Sequence, residues 1–105
     1  MNLPVWADIS NFDEAINAFN LGCDILSTTL CGYTLETKDK YTEPAFDLLS
    51  KLINHVDCPI IVEGRISKPE HVTKAFRMGA YSCVVGSAIT RPILITKSFV
   101  NACPN

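Results

Sequence analysis

Apolar residues along the chain fall into four short, nearly unbroken runs separated by longer stretches of helical period. The runs are residues 4–8 (PVWAD), 23–29 (CDILSTT), 59–63 (PIIVE) and 81–86 (YSCVVG). Continuous apolar runs, unlike strict alternation, predict strands covered on both faces, as in a parallel sheet between helices. Between them, Phe12, Ala15, Ile16 and Phe19 recur at helical spacing, with Ser10 and Asp13 as a capping box and Gly22 as the stop. The third run is followed by the same grammar: Ser67, Pro69 and Glu70, then Val72, Ala75, Phe76 and Gly79. A second helix is predicted on Ala45, Leu48, Leu49, Leu52, Ile53 and Val56, and a last one on Leu94, Ile95, Phe99 and Ala102. All four stripes are expected to face the sheet.

Residues 9–22 align without a gap with residues 66–79, at an offset of 57, and share Ile, Ser, Ala, Phe and Gly. The chain therefore reads as two copies of a double βα unit. Its four units are about 4–22, 23–57, 59–79 and 81–103. Four strands each followed by a crossover helix restrict this α/β chain to a doubly wound sheet or part of a (β/α)8 barrel. A whole barrel takes about 250 residues, whereas this chain has 105. It is expected to be a single half-barrel domain over 1–105, with open edges on its first and last strands and a sheet face in need of a partner. A second copy, a missing half, or closure into a small open sheet would each complete it.

Composition narrows the function classes. An apolar fraction of 48% with 19% charged residues is that of a folded domain, not a disordered tail. A net charge of −2 and a pI near 5.5 give no basis for binding nucleic acid or an anionic membrane. No stretch reaches the roughly 18–20 apolar residues of a membrane span, and residues 1–4 (MNLP) lack signal-peptide character, so a cytoplasmic location is expected. Cys23, Cys31, Cys58, Cys83 and Cys103 contain no Cys-x-x-Cys pair and read as reduced thiols, with Cys23 and Cys83 in apolar packing. No metal site is expected. His55 and His71 fall on predicted helices and read as surface residues, as does the polar run 36–43.

In a barrel the chemistry sits where strands end, in the βα loops. Asp8 and Glu63 each close an apolar run, an unusual place for a carboxylate unless the strand tip opens into a cavity. Two such groups suit acid/base work. The plainer alternatives are that Asp8 caps the following helix and that Glu63 pairs with Arg65. The segment 84–92 (VVGSAITRP) signals an anion site: Gly86 permits close approach, free backbone N–H groups follow at Ser87, and Arg91 adds a charge-assisted contact. The competing reading is an ordinary strand-to-helix turn with Gly86 there for tight packing. Tyr33 and Thr34, after Gly32, suit a ligand-covering loop.

The motifs ADIS (7–10), DILSTTLCGYT (24–34), EGRI (63–66) and VVGSAITRP (84–92) resemble, in order, the C-terminal half of the N-acetylmannosamine-6-phosphate 2-epimerase family. The resemblance implies the C-terminal half of a phosphate-binding (β/α)8 barrel. It also implies an isomerase of sialic acid catabolism that interconverts N-acetylmannosamine 6-phosphate and N-acetylglucosamine 6-phosphate without an organic cofactor. By it, Glu63 is one acid/base, Asp8 orients the partner base, and Arg91 with the amides near Gly86 and Ser87 holds the phosphate. Gly64 and Arg65 would line the substrate. The family's other acid/base is a lysine from the N-terminal half. None of Lys38, Lys40, Lys51, Lys68, Lys74 or Lys97 ends an apolar run, so activity would require a complementing half.

Overall fold

A computed structural model describes residues 2–104. Its four strands are β1 (Trp6–Asp8), β2 (Ile25–Ser27), β3 (Ile60–Glu63) and β4 (Ser82–Val84). They form one parallel sheet in chain order, β1-β2-β3-β4. Helices α1 (Phe12–Asn20), α2 (Phe46–Ile53) and α3 (Pro69–Arg77) follow the first three strands, and α4 (Ser87–Thr90) and α5 (Pro92–Val100) follow the last. Sequential parallel strands put all four C-terminal ends on one edge, so Asp8, Glu63 and the starts of the loops after β3 and β4 share that edge.

The repeat is real at the level of its helices. α1 and α3 have nine residues each, and their first and last residues differ by the same offset of 57. The loops before them do not match, because Asp8 precedes α1 by fewer residues than Glu63 precedes α3. Local capping also differs from expectation. The cap of α1 is Asn11, whose side chain accepts from the Glu14 N–H, while Glu14 reaches back to the Ser10 N–H and hydroxyl. The capping grammar is therefore present one residue later than the Ser10–Asp13 pair. α3 is capped at Lys68 rather than Ser67, with no side-chain cap bond.

Register and alternation separate the sheet's two faces. Ala7, Leu26, Ile60, Val62 and Cys83 pack on the core built by Ile9, Ala15, Leu49, Leu52 and Ala75. On the other face lie Trp6, Asp8, Ile25, Ser27, Ile61, Glu63, Ser82 and Val84. Of these, Trp6 is 47% and Val84 37% exposed. The sequence suggested strands covered on both faces, but helices cover only one. The open face is also more polar than expected, since it carries two carboxylates and two serines.

Three further expectations are overturned. α5 does not pack on the sheet: none of its residues is buried, Ile93 and Phe99 are 74% and 73% exposed, and its main neighbour is α4. Pro92 disfavours a helical conformation at Arg91, which takes φ −122° and ψ 85° and breaks the path between α4 and α5. With Ile93, Leu94, Ile95, Phe99 and Val100, α5 is apolar around most of its circumference, the pattern of a helix that needs cover on several sides. The molecule is correspondingly long, 55 × 27 × 26 Å, and its radius of gyration of 15.4 Å exceeds the roughly 13 Å usual at this length. Second, His71 is buried, not superficial. The inward face of α3 runs through His71, Val72, Ala75 and Met78, which leaves Phe76 half exposed. The His71 ring meets Phe46 edge-on at 5.9 Å, and its Nδ1 accepts from the Ser67 N–H. Third, Thr37, inside the polar run 36–43, is buried and bonds to the Gly32 N–H. His55 is exposed, as expected.

Candidate active site

β3 ends on Glu63 because the buried run Ile60–Val62 meets the strand-tip edge there. Gly64 and Arg65 then take positive φ, 103° and 58°, which turns the chain sharply off the sheet. An arginine in the left-handed region is costly. Its conformation is held by its head group: the guanidinium donates to the Cys31 carbonyl at 3.0 Å and lies 4.3 Å from the centre of the Tyr33 ring. Arg65 thus ties the β3 tip to the loop after β2. It makes no pair with Glu63, so that alternative fails.

Glu63 is instead held by hydroxyls. Its Oε2 accepts from Thr29 Oγ1 at 2.8 Å, with Ser27 Oγ at 3.5 Å. Thr29 Oγ1 also lies 3.2 Å from Asp8 Oδ1, which accepts from Trp6 Nε1 at 2.9 Å. Asp8 therefore does not cap α1; Asn11 does. The two carboxylates sit on β1 and β3, separated by β2, and Thr29 bridges them.

An open cleft of about 710 Å³ lies over these strand tips, a size suited to a small ligand. It brings together Glu63, Gly64, Arg65, Gly86 and Ser87 of the expected set, with Thr29 and Tyr33 beside them and Leu94, Ile95 and Phe99 as the α5 wall. Asp8 does not line it and reaches it only through Thr29. Arg91 does not line it either; it is exposed at the break before α5. A Cβ added at Gly86 would meet nothing within 4 Å, so close packing is not what keeps this position small. Tyr33, 63% exposed, stands at the rim, where the sequence placed a covering loop. Ser27, Thr28 and Thr29 received no role from the sequence, although three consecutive hydroxyls at a strand end were a visible signal.

Among the described residues no cluster of three or more His, Cys, Asp or Glu has metal-site geometry, and no helix is long and apolar enough to cross a membrane. The five cysteines are free.

The family model for N-acetylmannosamine-6-phosphate epimerase (NanE) matches residues 2–105. The chain belongs to this epimerase family. A relative from Clostridioides difficile (strain 630), named for N-acetylmannosamine-6-phosphate 2-epimerase, is 51% identical over 98 residues, 93% of this chain and 44% of its own length. The solved N-acetylmannosamine-6-phosphate 2-epimerase from Clostridium perfringens superposes with a TM-score of 0.89 at 48% identity, covering 97% of this chain and 44% of that one. A mandelate oxidase at 21% identity and a TM-score of 0.66 shares the fold alone. The structural neighbours are TIM-barrel proteins, and the four parallel βα units match the expected C-terminal portion of such a barrel. The chain of this epimerase-family member spans less than half the length of the curated relatives it matches.

Proposed function

We propose that this chain supplies the C-terminal half of an N-acylglucosamine-6-phosphate 2-epimerase, acting on a sugar phosphate in amino sugar and sialic acid catabolism. The observation that carries the reading is one cleft holding Glu63, fixed by Thr29, together with the open backbone at Gly86 and Ser87. Epimerisation at C2 of an open-chain 2-acetamido aldose removes the C2 proton and leaves its electron pair as a C1–C2 enolate. A proton then returns on the opposite face, so no redox partner is consumed. Glu63 is the acid/base on one face, and Asp8 orients the group working with it. Gly86 and Ser87 receive the phosphate through backbone N–H groups. Gly64 and Arg65 contact the sugar, and Arg91 joins the phosphate site once the α4–α5 segment is packed. Sugar phosphates are anions that do not cross bilayers, which makes the cytoplasm the compartment of choice.

The second acid/base must come from elsewhere. Among the described residues no lysine lines the cleft, and the open sheet face with Trp6, Val84 and the uncovered α5 needs a partner. Residues 1–105 act in this reading as one half-barrel domain, completed by an N-terminal half or by a second copy. The test is an assay of N-acetylmannosamine 6-phosphate conversion and of C2 deuterium incorporation in heavy water. It is run on the chain alone and with the N-terminal half of a related epimerase added. Turnover only with the added half is expected; silence in both sinks the enzymatic reading. The open sheet face and the uncovered α5 favour a second reading, a non-catalytic half-barrel that self-associates and binds sugar phosphates. Light scattering that finds a monomer, combined with no phosphate-dependent spectral shift, would sink that one.

A further inference from the structure

Thr28 and Thr29 stand between the two carboxylate-bearing strands, and their hydroxyls divide the work of holding Glu63. Thr28 is fully buried; its hydroxyl accepts from the Glu63 N–H at 3.1 Å and donates to the Glu63 carbonyl at 2.9 Å. One side chain thereby clamps both main-chain polar groups of Glu63, where the β2–β3 ladder would otherwise have ended. Thr29 holds the side chain. Its Oγ1 lies 2.6 Å from Ser27 Oγ, 2.8 Å from Glu63 Oε2 and 3.2 Å from Asp8 Oδ1.

The contact distances select one arrangement. Ser27 and Thr29 have one hydroxyl proton each. Using the two shortest contacts, Ser27 donates to Thr29 and Thr29 donates to Glu63 Oε2. Donation by an already hydrogen-bonded hydroxyl to a carboxylate is strengthened by the chain behind it. Asp8 Oδ1 keeps the Trp6 indole N–H as its donor. Among the described residues, Glu63 Oε1 receives no hydrogen bond, and Glu63 lines the cleft.

We propose that Thr29 is a positioning residue. Its hydroxyl, supplied with a donor by Ser27, fixes Oε2 of Glu63 and presents Oε1 to the reacting carbon. The role assigned to Glu63 rests on the epimerase reading, but its fixation by Thr29 does not.

Two measurements keep these separable. On the chain by itself, three-bond couplings report the Glu63 side-chain rotamer in the native protein, Thr29→Val and Thr29→Ser. A single rotamer is expected in the native protein and in Thr29→Ser, and averaged couplings in Thr29→Val; the native rotamer persisting in Thr29→Val overturns the proposal. If Thr29→Val does not fold, the smaller Thr29→Ala takes its place under the same criterion. In the complemented assay, Thr29→Val is expected to lower kcat roughly 10- to 100-fold, the range of a displaced catalytic group, with KM within about twofold. Thr29→Ser is expected to restore kcat to within about threefold of native. An equal loss in both variants, or a change confined to KM, overturns the proposal. A native protein without turnover overturns the epimerase reading, and the rotamer measurement then decides the role of Thr29.

Discussion

Replacing Gly32 with alanine probes how the loop after β2 is fastened to the tip of β3. Gly32 has φ +83°, and a Cβ built there falls 2.7 Å from one Arg65 guanidinium nitrogen and 2.9 Å from Cζ and the other nitrogen. Two costs add. The left-handed backbone costs an alanine about 1 kcal/mol. The guanidinium must also leave the Cys31 carbonyl and the Tyr33 ring; a half-buried charged hydrogen bond with a cation–π contact is worth about 1–2 kcal/mol after screening by water. Gly32→Ala should therefore destabilise by about 2–3 kcal/mol. Gly22 is the internal control, since it has φ +90° but nothing within 4 Å of its added Cβ, so Gly22→Ala should cost only about 1 kcal/mol. In an Arg65→Ala background the cost at Gly32 should fall to that same value, a coupling of about 1–2 kcal/mol. Urea unfolding followed by far-UV circular dichroism measures the three single variants and the double mutant. Equal costs at Gly22 and Gly32, or a Gly32 cost unchanged by removing Arg65, would refute the reasoning.

Core and wall should respond differently. Leu49→Ala, at a fully buried site, should cost about 2–5 kcal/mol, whereas Phe99→Ser in the isolated chain should stay within about 0.5 kcal/mol; similar losses in urea titrations would mean that α5 packs on the sheet in solution. Glu63→Gln should lower C2 deuterium incorporation in the complemented assay by at least about 100-fold while leaving the unfolding midpoint in place, and near-native exchange would remove Glu63 from the acid/base role. Burial, aided by the Asp47 and Glu14 carboxylates, pushes the Cys31 thiol from 9.0 up to about 12. The folded state then favours the neutral form, so this contribution is complete below pH 9 and is lost as pH rises toward 12, at about 1.4 kcal/mol per pH unit. Tyr41, pushed by burial from 10.0 to about 12, adds in the same direction above pH 10. Cys31→Ser should reduce the alkaline slope between pH 9.5 and 10.5 by about that one-group amount, and an unchanged slope would contradict it.

Legibility followed the range of the physics involved. The runs ending in Asp8 and Glu63 were readable because a buried strand declares itself in consecutive residues. The α1/α3 repeat was readable because helix period and the stops at Gly22 and Gly79 are local as well. His71 misled because a four-residue spacing to Ala75 fits the inward face as well as Val72 does, and only the neighbour Phe46 decides which face turns in. Phe99 misled in the opposite sense, since its apolar period is genuine but Pro92 sends the helix away from the sheet. Thr29 went unassigned because its meaning lies in distances to Asp8 and Glu63, residues 21 and 34 positions away.

The amino-acid order by itself determined four βα units, their parallel order, the carboxylates at two strand tips and the family to which those motifs belong. Each of these depends on backbone period or on residues adjacent in the chain. The tertiary structure decided which face of the sheet is open, that one cleft holds Glu63 with Gly86 and Ser87 but not Arg91, and that hydroxyls rather than Arg65 hold Glu63. Those outcomes depend on strand register and on the geometry of side chains distant in sequence, where a fraction of an ångström separates a hydrogen bond from none.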